Sequence, residues 1–154
     1  MIVLSLSLLI RAILAMIVEF GNDEVYYWTY AMYPDWSHFD HPPMVGWLIQ
    51  LFSCNLLFDS EFFLRLSSII FMTINTYLVF LIGRQVKNEQ TGFYAALLYT
   101  ASIYAFVITG IFILPDTPLS IFTLLAILQF VKYFQYEKNK HLLLAGLFTG
   151  LAML

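Results

Sequence analysis

Long apolar runs alternate with short polar ones along the chain, and the runs have the length of helices. Gln90 to Pro115 carries no charge over 26 residues and Leu66 to Gly83 none over 18, where crossing a hydrocarbon core takes about 20 helical residues at roughly 1.5 Å each. Thr117 to Val131 is also uncharged, and Lys132, Tyr133, Phe134 and Tyr136 extend it, because a lysine can snorkel and aromatic rings suit the interface. Met1 to Phe20 has no basic leader, carries Arg11 inside the run and shows no small-x-small cleavage pattern, so it predicts an uncleaved first helix. His141 to Leu154 begins a fifth apolar segment. The predicted fold is therefore all-α, a polytopic transmembrane helix bundle. Its spans fall at about 2–20, 63–83, 91–113, 118–136 and 141–154, the last incomplete, with one external loop over 21–62.

Inside that loop, Met44 to Phe58 is apolar but short, contains Gly46 and Trp47, and follows Pro42 and Pro43. This predicts a short amphipathic helix lying in the interface. Charge supports the choice: from Glu19 to Glu61 there are seven acids and no Lys or Arg, whereas Arg84, Lys87, Lys132, Lys138 and Lys140 cluster in the other polar segments. With the 44–58 helix lying flat, all basic loops share one side. The positive-inside rule then makes that side cytoplasmic, with the N-terminus inside and both the Glu19–Glu61 loop and the Pro115 turn outside. There is no internal repeat and no Gly/Ser linker, so the chain reads as one membrane domain. The last 14 residues neither span a membrane nor end a span, and the expectation is the N-terminal part of a longer multi-pass protein.

Composition narrows the function classes. The chain is 61% hydrophobic and 11% charged, with a mean hydropathy of +0.81, far from the roughly 45–50% apolar and 25% charged of soluble domains. Lys plus Arg is 7 against 10 acids, which excludes nucleic-acid binding through a basic surface, and Cys54 as the one cysteine excludes a disulfide scaffold. Cys54 is expected to be a small buried side chain.

Candidate chemistry gathers in the external segments. Asp23 and Glu24 follow the first span and precede Tyr26, Tyr27 and Trp28. The two acids can cap a helix start, or one can act as a base toward a hydroxyl where apolar rings raise its proton affinity. Asp40 and His41 stand before the double proline on a stiff, extended corner. A zinc site from His38, Asp40 and His41 lacks standard spacing. In the second turn, Asp116 lies between Pro115 and Pro118, where it or Thr117 can cap the next helix. Arg65 has Glu61 at i−4 as a partner, or a phosphate as a bidentate ligand. Arg11, deep in its run, needs a partner or a polar cavity. The aromatics at 26 to 39 read as interfacial anchors.

Asp23-Glu24 with Tyr26-Tyr27-Trp28, Phe39-Asp40-His41-Pro42-Pro43, Glu61-Phe62-Phe63-Leu64-Arg65-Leu66 and Leu114-Pro115-Asp116-Thr117-Pro118-Leu119, in that order, resemble bacterial glycosyltransferase family 39. Its members are protein O-mannosyltransferase-like, belong to the GT-C class and are related to lipid A aminoarabinose transferase. The resemblance implies transfer of a sugar, with inversion, from a polyprenyl-phosphate carrier to a lipid, glycan or protein acceptor at the outer face of the bacterial cytoplasmic membrane. It implies Asp23 as the catalytic carboxylate with Glu24 in support and Asp116 as a second-loop carboxylate. Asp40, His41 and Arg65 would face the donor phosphate or a cation. It names no certain cofactor, and a divalent cation on Asp40 and His41 stays open. His41 stands where the aminoarabinose branch tends to have Lys, which leaves the sugar open. The resemblance further implies many more helices, so these residues alone are expected to be inactive. The alternative from another class is a non-enzymatic polytopic protein, a transporter segment or assembly factor, whose acids cap helices.

Overall fold

The computed structural model describes residues 2–154, and it is a bundle of helices with no strand among them. Helix α1 (Ile2–Ile17) is followed by α2 (Asn22–Met32), and a loop with the double proline leads to α3 (Met44–Phe52) and the single turn α4 (Glu61–Leu64). Then come α5 (Leu66–Val86), α6 (Glu89–Ala101), a π-helical turn (Tyr104–Ile108), α7 (Thr109–Ile111), α8 (Asp116–Tyr136) and α9 (Asn139–Ala152). Helices α5 and α8 are each 21 residues long and apolar enough to cross a membrane, about 32 Å at 1.5 Å per residue. They run parallel, as Asn75 meeting Ser120 and Gln85 meeting Gln135 require. Both start at the end of the bundle that carries the loop acids and finish among the basic residues.

One run expected as a straight span is broken. Helix α1 stops at Ile17, and α2, in the segment expected as external loop, lies at 91° to it. The 91–113 run bends by 73° between α6 and the π turn, with Ser102 in extended conformation at the break. Side chains satisfy the backbone there. Arg11 Nε and a terminal nitrogen donate to the carbonyls of Phe106 and Ala105, each at 3.4 Å, the guanidinium lies 4.8 Å over the Phe106 ring, and Thr109 Oγ1 donates to the Tyr104 carbonyl at 3.2 Å. Non-helical backbone at membrane depth survives where protein groups take up its polar atoms. This gives the buried Arg11 acceptors for Nε and one terminal nitrogen.

Close approach elsewhere depends on small residues. A Cβ on Gly83 would stand 2.8 Å from the Gly92 Cα, where antiparallel α5 and α6 cross, and one on Gly46 would stand 2.8 Å from the backbone of Tyr30, where α3 lies on α2. Small residues at such crossings let helix backbones touch, the main source of attraction between helices in lipid. Cys54, expected inside, is exposed in a left-handed turn with Asn55 and Leu56, whose φ values are 54°, 60° and 61°. The turn ends α3 and directs the chain to α4, and it carries Cys54 out of the apolar face that hydropathy alone assigned it.

One ion pair ties these parts together. Arg65, at the junction of α4 and α5, is fully buried and donates to both carboxylate oxygens of Glu24, Nε to Oε1 at 2.8 Å and a terminal nitrogen to Oε2 at 2.6 Å. Its remaining N–H groups go to the carbonyls of Ala15, Val18 and Glu19, at 3.0, 2.5 and 3.1 Å. Glu24 also accepts the N–H of Gly21 at the start of α2 and that of Ile113 before α8, both at 3.1 Å. Removing one partner of such a pair leaves a buried charge uncompensated. Arg65→Leu or Glu24→Gln is expected to cost about 3–5 kcal/mol, read as a large loss of thermal stability in detergent. Arg65→Lys, which has no planar fork, should recover only part of it.

Candidate active site

The double proline and helix starts gather the loop carboxylates at one end of the bundle. Pro42 and Pro43 turn the chain into α3, and Gln50 on α3 donates to the Ala31 carbonyl at the end of α2 at 3.0 Å, so the loop between them is closed back on α2. That closure brings Asp40 over the tyrosine face of α2. Tyr26 and Tyr30, one helical turn apart, both donate to Asp40 Oδ1 at 2.6 Å. His38 stacks on the Tyr30 ring with centroids 3.6 Å apart, and His41 Nε2 lies 3.8 Å from Asp40 Oδ2. The Tyr26 and Tyr30 hydroxyls, in that order, hold the Asp40 carboxyl below its ordinary range.

The acids differ sharply in what holds them. Glu24 is buried, closes the start of α2 and pairs with Arg65, which makes it the capping acid of the first loop. Glu61 reaches the same guanidinium at 3.7 Å. Asp23, next to Glu24 in the first turn of α2, is exposed and makes no hydrogen bond or ion pair among the described residues. Asp116 stands in the first turn of α8, whose start has no side-chain cap, and its Oδ1 accepts from Tyr104 Oη at 2.8 Å. Thr117, the other expected cap, donates instead to the Thr109 carbonyl at 3.1 Å. Arg65, expected at a phosphate, has all five N–H groups taken up within the protein and no exposed surface.

The two loops converge. A cavity of about 190 Å³ is lined by His41 and Pro42 from the first and by Pro115, Asp116 and Pro118 from the second, with Met44 and Val45 of α3 between them. Beside it the Tyr27 ring packs edge-on to His41 at 5.5 Å. Burial pushes the Tyr27 phenol up, and the charges of Asp40, Asp23 and Asp116, in that order, push it further. Among the described residues no group of three or more His, Cys, Asp or Glu is placed to hold a metal. Asp40 and His41 are the neighbouring pair that a cation would meet, whereas the His38 ring is taken up by its stack on Tyr30.

Residues 40–154 match the family described as Dolichyl-phosphate-mannose-protein mannosyltransferase. The chain belongs to this family. It is thus a multi-pass membrane protein of a glycosyltransferase family of the GT-C type, which uses polyprenyl-phosphate-linked sugar donors and glycan or protein acceptors. No curated protein and no solved structure matches. The matched segment of the mannosyltransferase family begins at Asp40, so it holds Asp40, His41, Arg65 and Asp116 but neither Asp23 nor Glu24.

Reading the sequence alone assigned Tyr26, Tyr27 and Tyr30 to the interface and left Tyr104 without a role. The i, i+4 spacing of Tyr26 and Tyr30 on one helix face, with an acid beyond the next turn, was the available sign. Because the folded-state value of Asp40 is depressed, its stabilising contribution is complete at neutral pH and is lost as pH falls through that lowered value. Tyr30→Phe removes one donor and brings the folded value back toward the ordinary one, so the acid-side fall in melting temperature should be smaller than in wild type and be complete at a higher pH. An unchanged melting-versus-pH curve would remove the Tyr30–Asp40 bond from this account.

Proposed function

We propose that this mannosyltransferase-family protein transfers a sugar, with inversion, from a polyprenyl phosphate to an acceptor hydroxyl at the outer face of the cytoplasmic membrane, with Asp23 as the base. The observation that carries this is the division between adjacent acids: Glu24 meets the structural needs of the first loop, and Asp23 is left exposed and unpaired at the same helix start. The excess of acids at this end and of Lys and Arg at the other supports an outward-facing site.

The chemistry needs little else. Asp23 takes the proton of the acceptor hydroxyl as its oxygen attacks the anomeric carbon from the face opposite the phosphate. The bond from that carbon to the phosphate oxygen breaks, its electron pair stays on the phosphate, and polyprenyl phosphate leaves. Positioning and charge stabilisation then set the rate. His41, at the cavity mouth beside Asp40, is the donor available to the leaving phosphate, and a divalent cation on Asp40 and His41 would supply the same charge. Asp116, fixed by Tyr104, orients the sugar from the second loop.

The test is transfer from a polyprenyl-phosphate sugar pool by full-length protein in membranes at matched expression. Asp23→Asn is expected to lower kcat by about 10²–10⁴-fold with the melting temperature held, since Asp23 anchors nothing. Wild-type rates in Asp23→Asn would end the base assignment, and no transfer by wild type would end the whole reading.

A further inference from the structure

The loop between α2 and α3 carries an aromatic corner that the proposed reaction leaves unused. Trp36 from the loop and Trp47 from α3 meet edge to face, with ring centroids 5.3 Å apart and planes at 85°. Two rings at right angles make a floor and a wall. With Pro34 and Asp35 they line a cleft of about 430 Å³, within the roughly 300–1,000 Å³ of small-ligand sites. Trp36 is 83% exposed, so it fills no core. Asp35 Oδ1 accepts the Trp36 N–H at 2.7 Å, and Asp35 makes no ion pair among the described residues, which leaves its carboxylate able to accept from a ligand. Both elements also reach the candidate active site: the loop ends in Asp40 and His41, and α3 begins with Met44 and Val45, which line the cavity there.

A ligand for this corner must offer an apolar face to an indole and a hydrogen-bond donor to a carboxylate. A pyranose does both, since C–H groups cover one face of the ring and hydroxyls leave its edge. An acyl chain meets only the first demand, and it would take water from Asp35 without replacing it. A peptide is held along a sheet edge, in a helix-sized groove or by several pockets in a row, and this cleft offers one corner. The one charge in its lining is that of Asp35, so a sugar bearing phosphate or carboxylate is disfavoured there. The phosphate-linked donor is served instead by His41 at the separate cavity, and the cleft is left to the acceptor, which in this family is a glycan or a protein.

We propose that the Trp36–Trp47 cleft is a subsite for a glycan acceptor, in which a pyranose without an anionic group stacks on an indole and donates a hydroxyl hydrogen to Asp35, while the reacting end of the same glycan lies at the cavity between His41 and Asp116. The inference rests on the glycosyltransferase reading above and adds to it the acceptor class and the residues that hold the acceptor away from the reacting centre.

The experiment uses full-length protein in lipid nanodiscs, with an α-linked mannotetraose as probe and methyl mannoside as its single-ring control, mannose being the sugar named by the matched family. Binding of mannotetraose is measured without donor, and its KM as acceptor is then measured with polyprenyl-phosphate mannose. Trp36→Ala is expected to weaken binding and raise KM about tenfold, the upper scale of one ring contact. Its kcat and melting temperature should match wild type, since Trp36 is exposed and outside the cavity lining. Asp35→Asn keeps an acceptor for the Trp36 N–H but loses the charge, and should weaken binding by about three- to tenfold. Methyl mannoside cannot occupy cleft and cavity together, so its KM should be unchanged in both variants. Wild-type affinity in both variants, equal losses for methyl mannoside, or no binding of mannotetraose by wild type would overturn the proposal. In the first case, quenching by brominated lipid of the fluorescence that Trp36→Ala removes would make the corner a membrane anchor instead. Binding that depends on Trp36 with no transfer at all would keep the cleft and end the transferase reading. Transfer with the same KM in Trp36→Ala as in wild type would do the reverse.

Discussion

A buried, bidentate ion pair between Glu24 and Arg65 joins four segments of chain, beside an apolar cluster that draws on the same four. The end of α1 supplies three carbonyls, the start of α2 supplies the acid and the Gly21 N–H, the α4–α5 junction supplies the base, and the strand of backbone before α8 supplies the Ile113 N–H. Glu24 is the neighbour of Asp23, and Ile113 lies three residues before Asp116. The same pair therefore sets where both loops can be, and so how far apart their acids stand. A buried pair is a weak source of net stability because two charges must be desolvated. Its value here is placement, since full use of five N–H groups and of both carboxylate oxygens leaves one arrangement that satisfies everything.

The acids of this end show how environment separates residues of one type. Glu24 and Glu61 face a guanidinium, Asp40 faces two phenols, Asp116 faces one, and Asp23 faces none. Helix-start chemistry alone would have let Asp23 and Asp116 serve as caps. Both helix starts are instead completed without them, the first by Glu24 and the second by the turn through Pro115 and Thr117. Carboxylates that the fold does not consume are the ones available for substrate.

Much of the fold was legible in the sequence, because span length and hydropathy are properties of a run of residues. The helices α5 and α8, the short helix after the double proline and the segregation of acids from bases all follow from such runs. The bend in the 91–113 run was not legible. Nothing in Gln90 to Pro115 marks Ser102 as a break, since what permits it is Arg11, over ninety residues earlier, reaching two carbonyls of the π turn. Arg65 was read against its near neighbour Glu61, and the partner that dominates lies 41 positions away. At the site, the types and order of the acids were visible, and the tyrosines that hold two of them were not, because an interfacial aromatic and a hydrogen-bonding one look alike until the partner is located.

The broken run joins Arg11 to the site. Tyr104, whose hydroxyl holds Asp116, is the first residue of the π turn, and Thr117 beside Asp116 donates to the Thr109 carbonyl that follows that turn. Arg11 grips the carbonyls of Ala105 and Phe106 within it. A straight helix through 102–111 would return those carbonyls to its own backbone, withdraw the acceptors from Arg11 and carry Tyr104 away from Asp116. The position of the Asp116 carboxylate is thus tied to Arg11, and a charge that would be costly in an apolar run is placed where it takes up carbonyls of the irregular backbone.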